Sequence, residues 1–235
     1  MPLAGGCILH LHKMNAVKEI HPGRVIVEPG CLLKDLDAAC KADSGQEIRM
    51  FSSTWATATI GGFIAGGSGG VGSVRWGSLR DVGNIIRLRV VTMEAEPRAI
   101  EITGDDLHRV SHAYGTNGII TEIEIPLAPA YEWIGLFVTF PDFKEALQYS
   151  YDLASRDGLL IKLATVFEAP IAKDYFQRVA PHVEATDAVV ALMVAPHAMD
   201  GFTTFTGHYP TANVIYRSDD NDWPRDPGPV FEYGW

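Results

Sequence analysis

No stretch of this 235-residue chain stays apolar long enough to span a bilayer, because charged or polar residues interrupt every candidate. Basic runs are missing as well, and the net charge is −10. Neither nucleic acid nor an anionic membrane is therefore expected as the main partner, since both select clustered Lys and Arg. Only folding could assemble a basic patch, from Arg75, Arg80, Arg87 and Arg89. The opening MPLAGGCILHLHKMN has no positively charged lead-in before its short apolar stretch and is not expected to act as a signal peptide. Cysteine is scarce. Cys7, Cys31 and Cys40 are odd in number and at no metal-ligand spacing, so they read as reduced thiols of a cytoplasmic protein, and nothing in the sequence supports a Cys31–Cys40 bridge.

What is present is ordinary for a globular chain: 47% apolar and 20% charged residues, with length for one large domain or two small ones. RVIVEPG (24–30) is a short strand closed by a Pro-Gly turn, and Leu32, Leu33, Leu36, Ala39 and Cys40 predict an amphipathic helix over 32–42, stopped by Gly45. IIRLRVVT and RAIEIT, joined by MEAEP, predict a hairpin. DDLHRVSHAYG predicts a short helix with Leu107, Val110 and Tyr114 on one face, and GIITEIEIPLAP a strand ended by prolines. This first block mixes helices and strands without regular β-α-β alternation, so it is expected to be α+β with an antiparallel sheet. Near Ala128–Glu132 the pattern resets into strand, helix, strand, short helix (IAKDYFQRVAPH) and strand, a second and smaller α/β unit. The tail from Gly201 shows no clear periodicity.

The dense feature is ATATIGGFIAGGSGGVGSVRWGSLRD (56–81), with glycines at 61, 62, 66, 67, 69, 70 and 72. Glycine is entropically costly, so such density needs a cause. A P-loop is excluded, because no Gly-Lys-Ser/Thr follows. Gly67, Gly69 and Gly72 match the dinucleotide fingerprint of nicotinamide-dependent dehydrogenases, but SVRWGSLRD offers no apolar helix face. The ribose acid expected about twenty residues on would fall near Glu94, in a hairpin loop. Two readings stay open: bare amides facing a phosphate or a flat ring, or close chain crossings with no ligand.

Taken in order, VIVEPG, the helix, FSSTWATATIGGFIAGGSGGVGSVRWGSLRD, IIRLRVVTMEAEPRAIEI and GTNGIITEIEIPL resemble the flavin-binding domain of FAD-linked oxidases. These form the vanillyl-alcohol oxidase and p-cresol methylhydroxylase superfamily, and the similarity points to its glycolate oxidase and D-lactate dehydrogenase branch. With the similar opening PLAGGCILHLHKMNAVKEI, the resemblance covers residues 2–129. It implies an FAD cofactor and an oxidoreductase acting on a small 2-hydroxy acid. It also implies that Thr59, Ile60, Gly61, Gly62, Ala65, Gly66 and Ser68 contact flavin and pyrophosphate, with Gly118, Ile119 and Ile120 in support. Arg75-Trp76-Gly77 and Arg80-Asp81 are expected to be framework, an Arg–Asp pair orienting the loop.

The departures from that family shape the remaining expectations. Its first flavin subdomain precedes the point where this chain begins, and its histidine-rich catalytic and metal segment lies beyond the point where the chain ends. The expected organisation is a flavin-binding domain at 1–129 without its N-terminal subdomain and a partial substrate or cap domain at 130–235. The chain is expected to be a fragment of such an enzyme, a homo-oligomer, or a subunit completed by a partner. Asn117 stands where the family often has an acid. His10 and His12 alternate with Leu9 and Leu11 in an expected strand and share a face, but two further metal ligands are lacking. His197 and His208 do not match the family's segment. No catalytic base is assigned and no metal site is expected.

Overall fold

The computed structural model describes residues 8–67, 69–177, 179–220 and 230. The chain forms two compact units, Met1–Gly70 with Trp76–Ala130, and Val71–Arg75 with Tyr131–Trp235.

The first unit contains β1 (Val17–His21), β2 (Arg24–Val27), α1 (Leu33–Ser44), β3 (Gln46–Ile48) and α2 (Ile60–Gly66). A single turn α3 (Ser73–Trp76), β4 (Arg87–Val91), β5 (Ala99–Thr103) and β6 (Ile119–Pro129) follow in the chain. The sheet runs β1-β2-β6-β4-β5, with β3 paired to the far end of β6, and every pairing is antiparallel. β6 is central because its apolar residues suit a buried face, yet Ile120 and Ile123 are both buried although three positions apart. A bulge reconciles them: Arg89 pairs Glu122 while Val90 pairs Ile120, and Thr121, the extra residue, bonds the Arg89 carbonyl through Oγ1 at 3.1 Å. Helix α1 contributes the buried Leu33, Leu36 and Cys40, and Gly45 ends it in the left-handed region at φ 63°. Each buried Leu or Ile contributes about 1.5–3 kcal/mol relative to exposure. Among the polar residues of the sheet, Arg87 bonds Glu122 at 2.8 Å, Glu124 at 3.0 Å and Glu101 at 3.1 Å, while Lys18 and Arg24 close on the first two acids.

The second unit contains β7 (Ile134–Phe140), α4 (Phe143–Ala154), β8 (Ile161–Phe167), α5 (Ile171–Tyr175), β9 (Ala188–Val194), α6 (Met199–Thr206) and β10 (Asn213–Arg217). Its sheet order is β10-β7-β9-β8, with antiparallel neighbours throughout. This is a pair of split β-α-β units in the ferredoxin-like arrangement. Leu136, Val138, Phe140, Val190, Leu192 and Val194 bury one side of the sheet against Tyr149 and Leu153 of α4 and Phe202 and Phe205 of α6. The α+β architecture with antiparallel sheets flanked by helices is the expected one.

Several local expectations differ. The tail is not featureless, since α6 and β10 lie within it. In α6 the Gly and Thr residues are poor helix formers, and the helix is held by burial of Met199, Phe202 and Phe205. In β10 only Tyr216 is buried, so alternation hardly registers. The helix expected at 171–182 is cut to α5 and a 3-10 turn at Ala180–His182 that contains Pro181. The expected helix after β5 is a 3-10 segment, Gly104–Arg109, and Tyr114 is 74% exposed while Leu107 and Val110 are buried. Residues 8–11 form a loop, not the expected strand. Cys31 and Cys40 are both free and buried, and Cys7 lies outside the described residues.

Candidate functional site

Helix α2 begins where Thr59 caps it, its Oγ1 accepting from the Gly62 amide at 3.1 Å. The other leading amides are also spent inside the protein: Ile60 N–H donates to the Cys31 carbonyl and Gly61 N–H to the Pro29 carbonyl, both at 2.9 Å. This helix therefore does not present bare amides to a phosphate, one of the two readings the sequence leaves open. Close crossing accounts for part of the glycine density. A Cβ at Gly61 would stand 2.5 Å from Pro29 Cβ, and one at Gly67, at φ 62°, would stand 2.2 Å from His112 Cβ. Gly62 differs, because a Cβ there would meet only the Thr59 hydroxyl oxygen, at 3.2 Å.

That open side faces a cavity of about 370 Å³. Thr59, Gly61, Gly62 and Ala65 form one part of its lining, and Gly118, Ile119 and Ile120 another. Seven residues named from sequence thus meet around one space, although 53 positions separate Ala65 from Gly118. Ile60 is turned into the core at 1% exposure, Gly66 does not line the cavity, and Ser68 lies outside the described residues. Pro29, Gly30, Val110 and Gly115, which the sequence reading left out, also line it, as do Leu9, His10, Leu11 and His12, which that reading weighed only as an expected strand with a histidine pair.

The segment bearing Val110 and Gly115 is pinned to α2. The His112 and Tyr114 amides donate to the Ile64 and Ala65 carbonyls at 3.2 and 3.0 Å, satisfying groups at the helix end. Both residues hold positive φ, 62° and 52°, a conformation non-glycine side chains rarely adopt. Asn117 donates to the Arg109 carbonyl at 2.6 Å and so holds the same turn.

The expected framework role of the Trp76–Asp81 region has a different basis. The Asp81 carboxylate accepts from the amide and hydroxyl of Ser78 at 2.8 and 2.9 Å, and these bonds, not a pairing with Arg80, hold its carboxyl below the usual range. Asn84 donates to the Trp76 and Ser78 carbonyls, and the Arg49 guanidinium lies 4.2 Å from the Trp76 ring centroid. Among the described residues no group of three or more His, Cys, Asp or Glu is placed to hold a metal, and no helix is long and apolar enough to cross a membrane.

Flat, side-chain-poor walls and aliphatic flanks suit a planar ring system, and the volume is that of a small-molecule site. Residues 2–99 match the family described as FAD binding domain. That part of the chain is similar to a known FAD binding domain. Over 137 residues it is 31% identical to glycolate oxidase subunit GlcD of Bacillus subtilis, covering 54% of this chain and 28% of that protein. Over 206 residues it is 28% identical to mitochondrial D-2-hydroxyglutarate dehydrogenase of Rattus norvegicus, covering 80% of this chain and 36% of that one. Solved alkyldihydroxyacetonephosphate synthase shares the fold, with a TM-score of 0.68 at 16% identity over 90% of this chain and 44% of that chain. The chain thus spans about a third of the length of the curated relatives it matches.

Proposed function

We propose that the glycine-lined cavity holds the flavin of an FAD-dependent oxidoreductase that oxidises a small 2-hydroxy acid. The observation that carries this is the meeting of Thr59, Gly61, Gly62 and Ala65 with Gly118, Ile119 and Ile120 around one cavity of about 370 Å³. Bound flavin would supply a hydride acceptor for the substrate's hydroxyl-bearing carbon. The residues of this chain bind and orient. Gly62 and Ala65 keep one wall bare for close approach, Ile119 and Ile120 exclude water from another, and the Thr59 hydroxyl supplies a polar contact. In this reading residues 1–129 are flavin-binding and residues 130–235 are part of a substrate domain. Two relatives whose names specify glycolate and 2-hydroxyglutarate support this substrate class.

The visible absorption spectrum of the purified chain, before and after added FAD, tests the reading. A flavin spectrum bleached anaerobically by glycolate or 2-hydroxyglutarate supports it. A chain that takes up no FAD refutes it for the polypeptide alone. A second reading, a subunit working within an assembly, is favoured by the name of the Bacillus relative, itself a subunit. It predicts that flavin is retained only on co-purification with another polypeptide.

A further inference from the structure

Among the described residues, the cavity lining includes no carboxylate, lysine or arginine, and its titratable side chains are two imidazoles, His10 and His12. They are hydrogen-bonded to each other, His12 Nδ1 to His10 Nε2 at 2.7 Å, with the rings edge to face and their centroids 3.9 Å apart. Nδ1 of His10 and Nε2 of His12 are not spent on that bond. In a neutral pair one ring donates to the other, which leaves one outward N–H and one outward lone pair. One added proton makes both outward nitrogens donors and gives the pair a positive charge shared across a charge-assisted N–H···N bond. Imidazole is the side chain whose charge ordinarily changes between about pH 5 and 8. Lys13, the adjacent cation, works against the added proton, whereas the carboxylate of Glu28, two residues before the lining's Gly30, favours it while accepting from the Ala16 amide at 3.0 Å.

We propose that His10 and His12 form a proton-switched grip for a pyrophosphate oxygen of the dinucleotide in this cavity. The inference rests on the flavin reading and deepens it. Because the leading amides of α2 are consumed within the protein, the imidazole pair is the part of the described lining able to supply both charge and two donors. Protonation at lower pH tightens the grip, and loss of the proton returns a lone pair towards the anion.

FAD and riboflavin, titrated by flavin fluorescence at about pH 6 and about pH 8, test it. FAD carries the pyrophosphate and riboflavin does not. The FAD dissociation constant is expected to fall about tenfold at the lower pH, the scale of one charge-assisted hydrogen bond, while that of riboflavin stays unchanged. His10→Gln and His12→Gln should each abolish the FAD pH dependence, and His208→Gln, in the other unit, should keep it. FAD binding indifferent to pH, riboflavin showing the same dependence, or the Gln variants retaining it would each overturn the grip. If neither flavin binds at any pH, the flavin reading falls. The grip is then judged on inorganic pyrophosphate, where displacement of the His10 and His12 imidazole proton resonances supports it and unchanged resonances overturn it.

Discussion

Replacing Gly61 and Gly62 with alanine, one at a time, separates what the glycines do for folding from what they do for a ligand. At Gly61 the new Cβ would lie 2.5 Å from Pro29 Cβ, 2.8 Å from the Pro29 carbonyl oxygen and 3.0 Å from its Cα. Pro29 is constrained and two of these atoms are backbone, so α2 must retreat and stretch the 2.9 Å bond from the Gly61 amide. Overpacking of this kind costs about 1–3 kcal/mol. The weakened hydrogen bond adds about 1 kcal/mol, and the gain from alanine in a helix returns about 1 kcal/mol. The net destabilisation is about 1–3 kcal/mol, which lowers the melting temperature by roughly 3–10 °C for a chain of this size. At Gly62 the new Cβ meets only the Thr59 hydroxyl, so stability should stay within about 1 kcal/mol of wild type, the helix gain offsetting a small shift. Its cost should appear in flavin affinity instead. Thermal unfolding by circular dichroism with FAD titration of both variants makes the comparison. Equal melting temperatures for Gly61→Ala and wild type would refute the crossing argument.

The other predictions concern charge and the thiols. Arg87→Ala removes the hub of the sheet's ion pairs and leaves Glu124, at 7% side-chain exposure, to Arg24 alone. Unfolding should show a loss of about 2–4 kcal/mol, and a loss under about 0.5 kcal/mol would mean the network is only a surface ornament. Bonds from Lys18 and then Arg87 hold the Glu122 carboxyl below its ordinary 4.5. A depressed folded-state value means the contribution is complete above that ordinary value and is lost as pH falls through the folded one. Arg87→Ala should therefore flatten the acid limb of the stability profile, and an unchanged acid limb would contradict the assignment. Burial, reinforced by nearby acids, pushes the Cys31 thiol up to about 11 and the Cys40 thiol up to about 12. Peptide mapping after iodoacetamide at about pH 8 should find both unmodified in the native chain and modified on unfolding. Native alkylation of either would refute their burial.

Sequence alone was most informative where periodicity and burial coincide. GIITEIEIPLAP predicted the central strand, and Gly45 stopped α1 where its left-handed conformation requires glycine. The bulge at Thr121 was invisible, because it arises from pairing with β4 and not from the local pattern. Helix α2 was hidden for a different reason: Gly61, Gly62 and Gly66 argue against a helix, which is held by Thr59 and by contacts to Pro29 and Cys31. The cavity was partly legible through the family-like TIGGFIAG and GIIT segments. Pro29, Gly30, Val110 and the His10–His12 pair were not, since each joins the lining through the tertiary course of a turn or loop. The histidines were noticed for alternation in an expected strand, and the structure brings them together in a loop by their mutual bond.

The central claim is that flavin occupies the glycine-lined cavity. Its most direct test is an equilibrium titration of FAD into the wild-type chain and into Ala65→Leu, which fills the space from a lining position while leaving α2 a helix. The account predicts one flavin per chain in the wild type and at least tenfold weaker binding in the variant, as steric overlap in a packed site requires. Equal affinity in the two proteins would contradict it and move the flavin elsewhere.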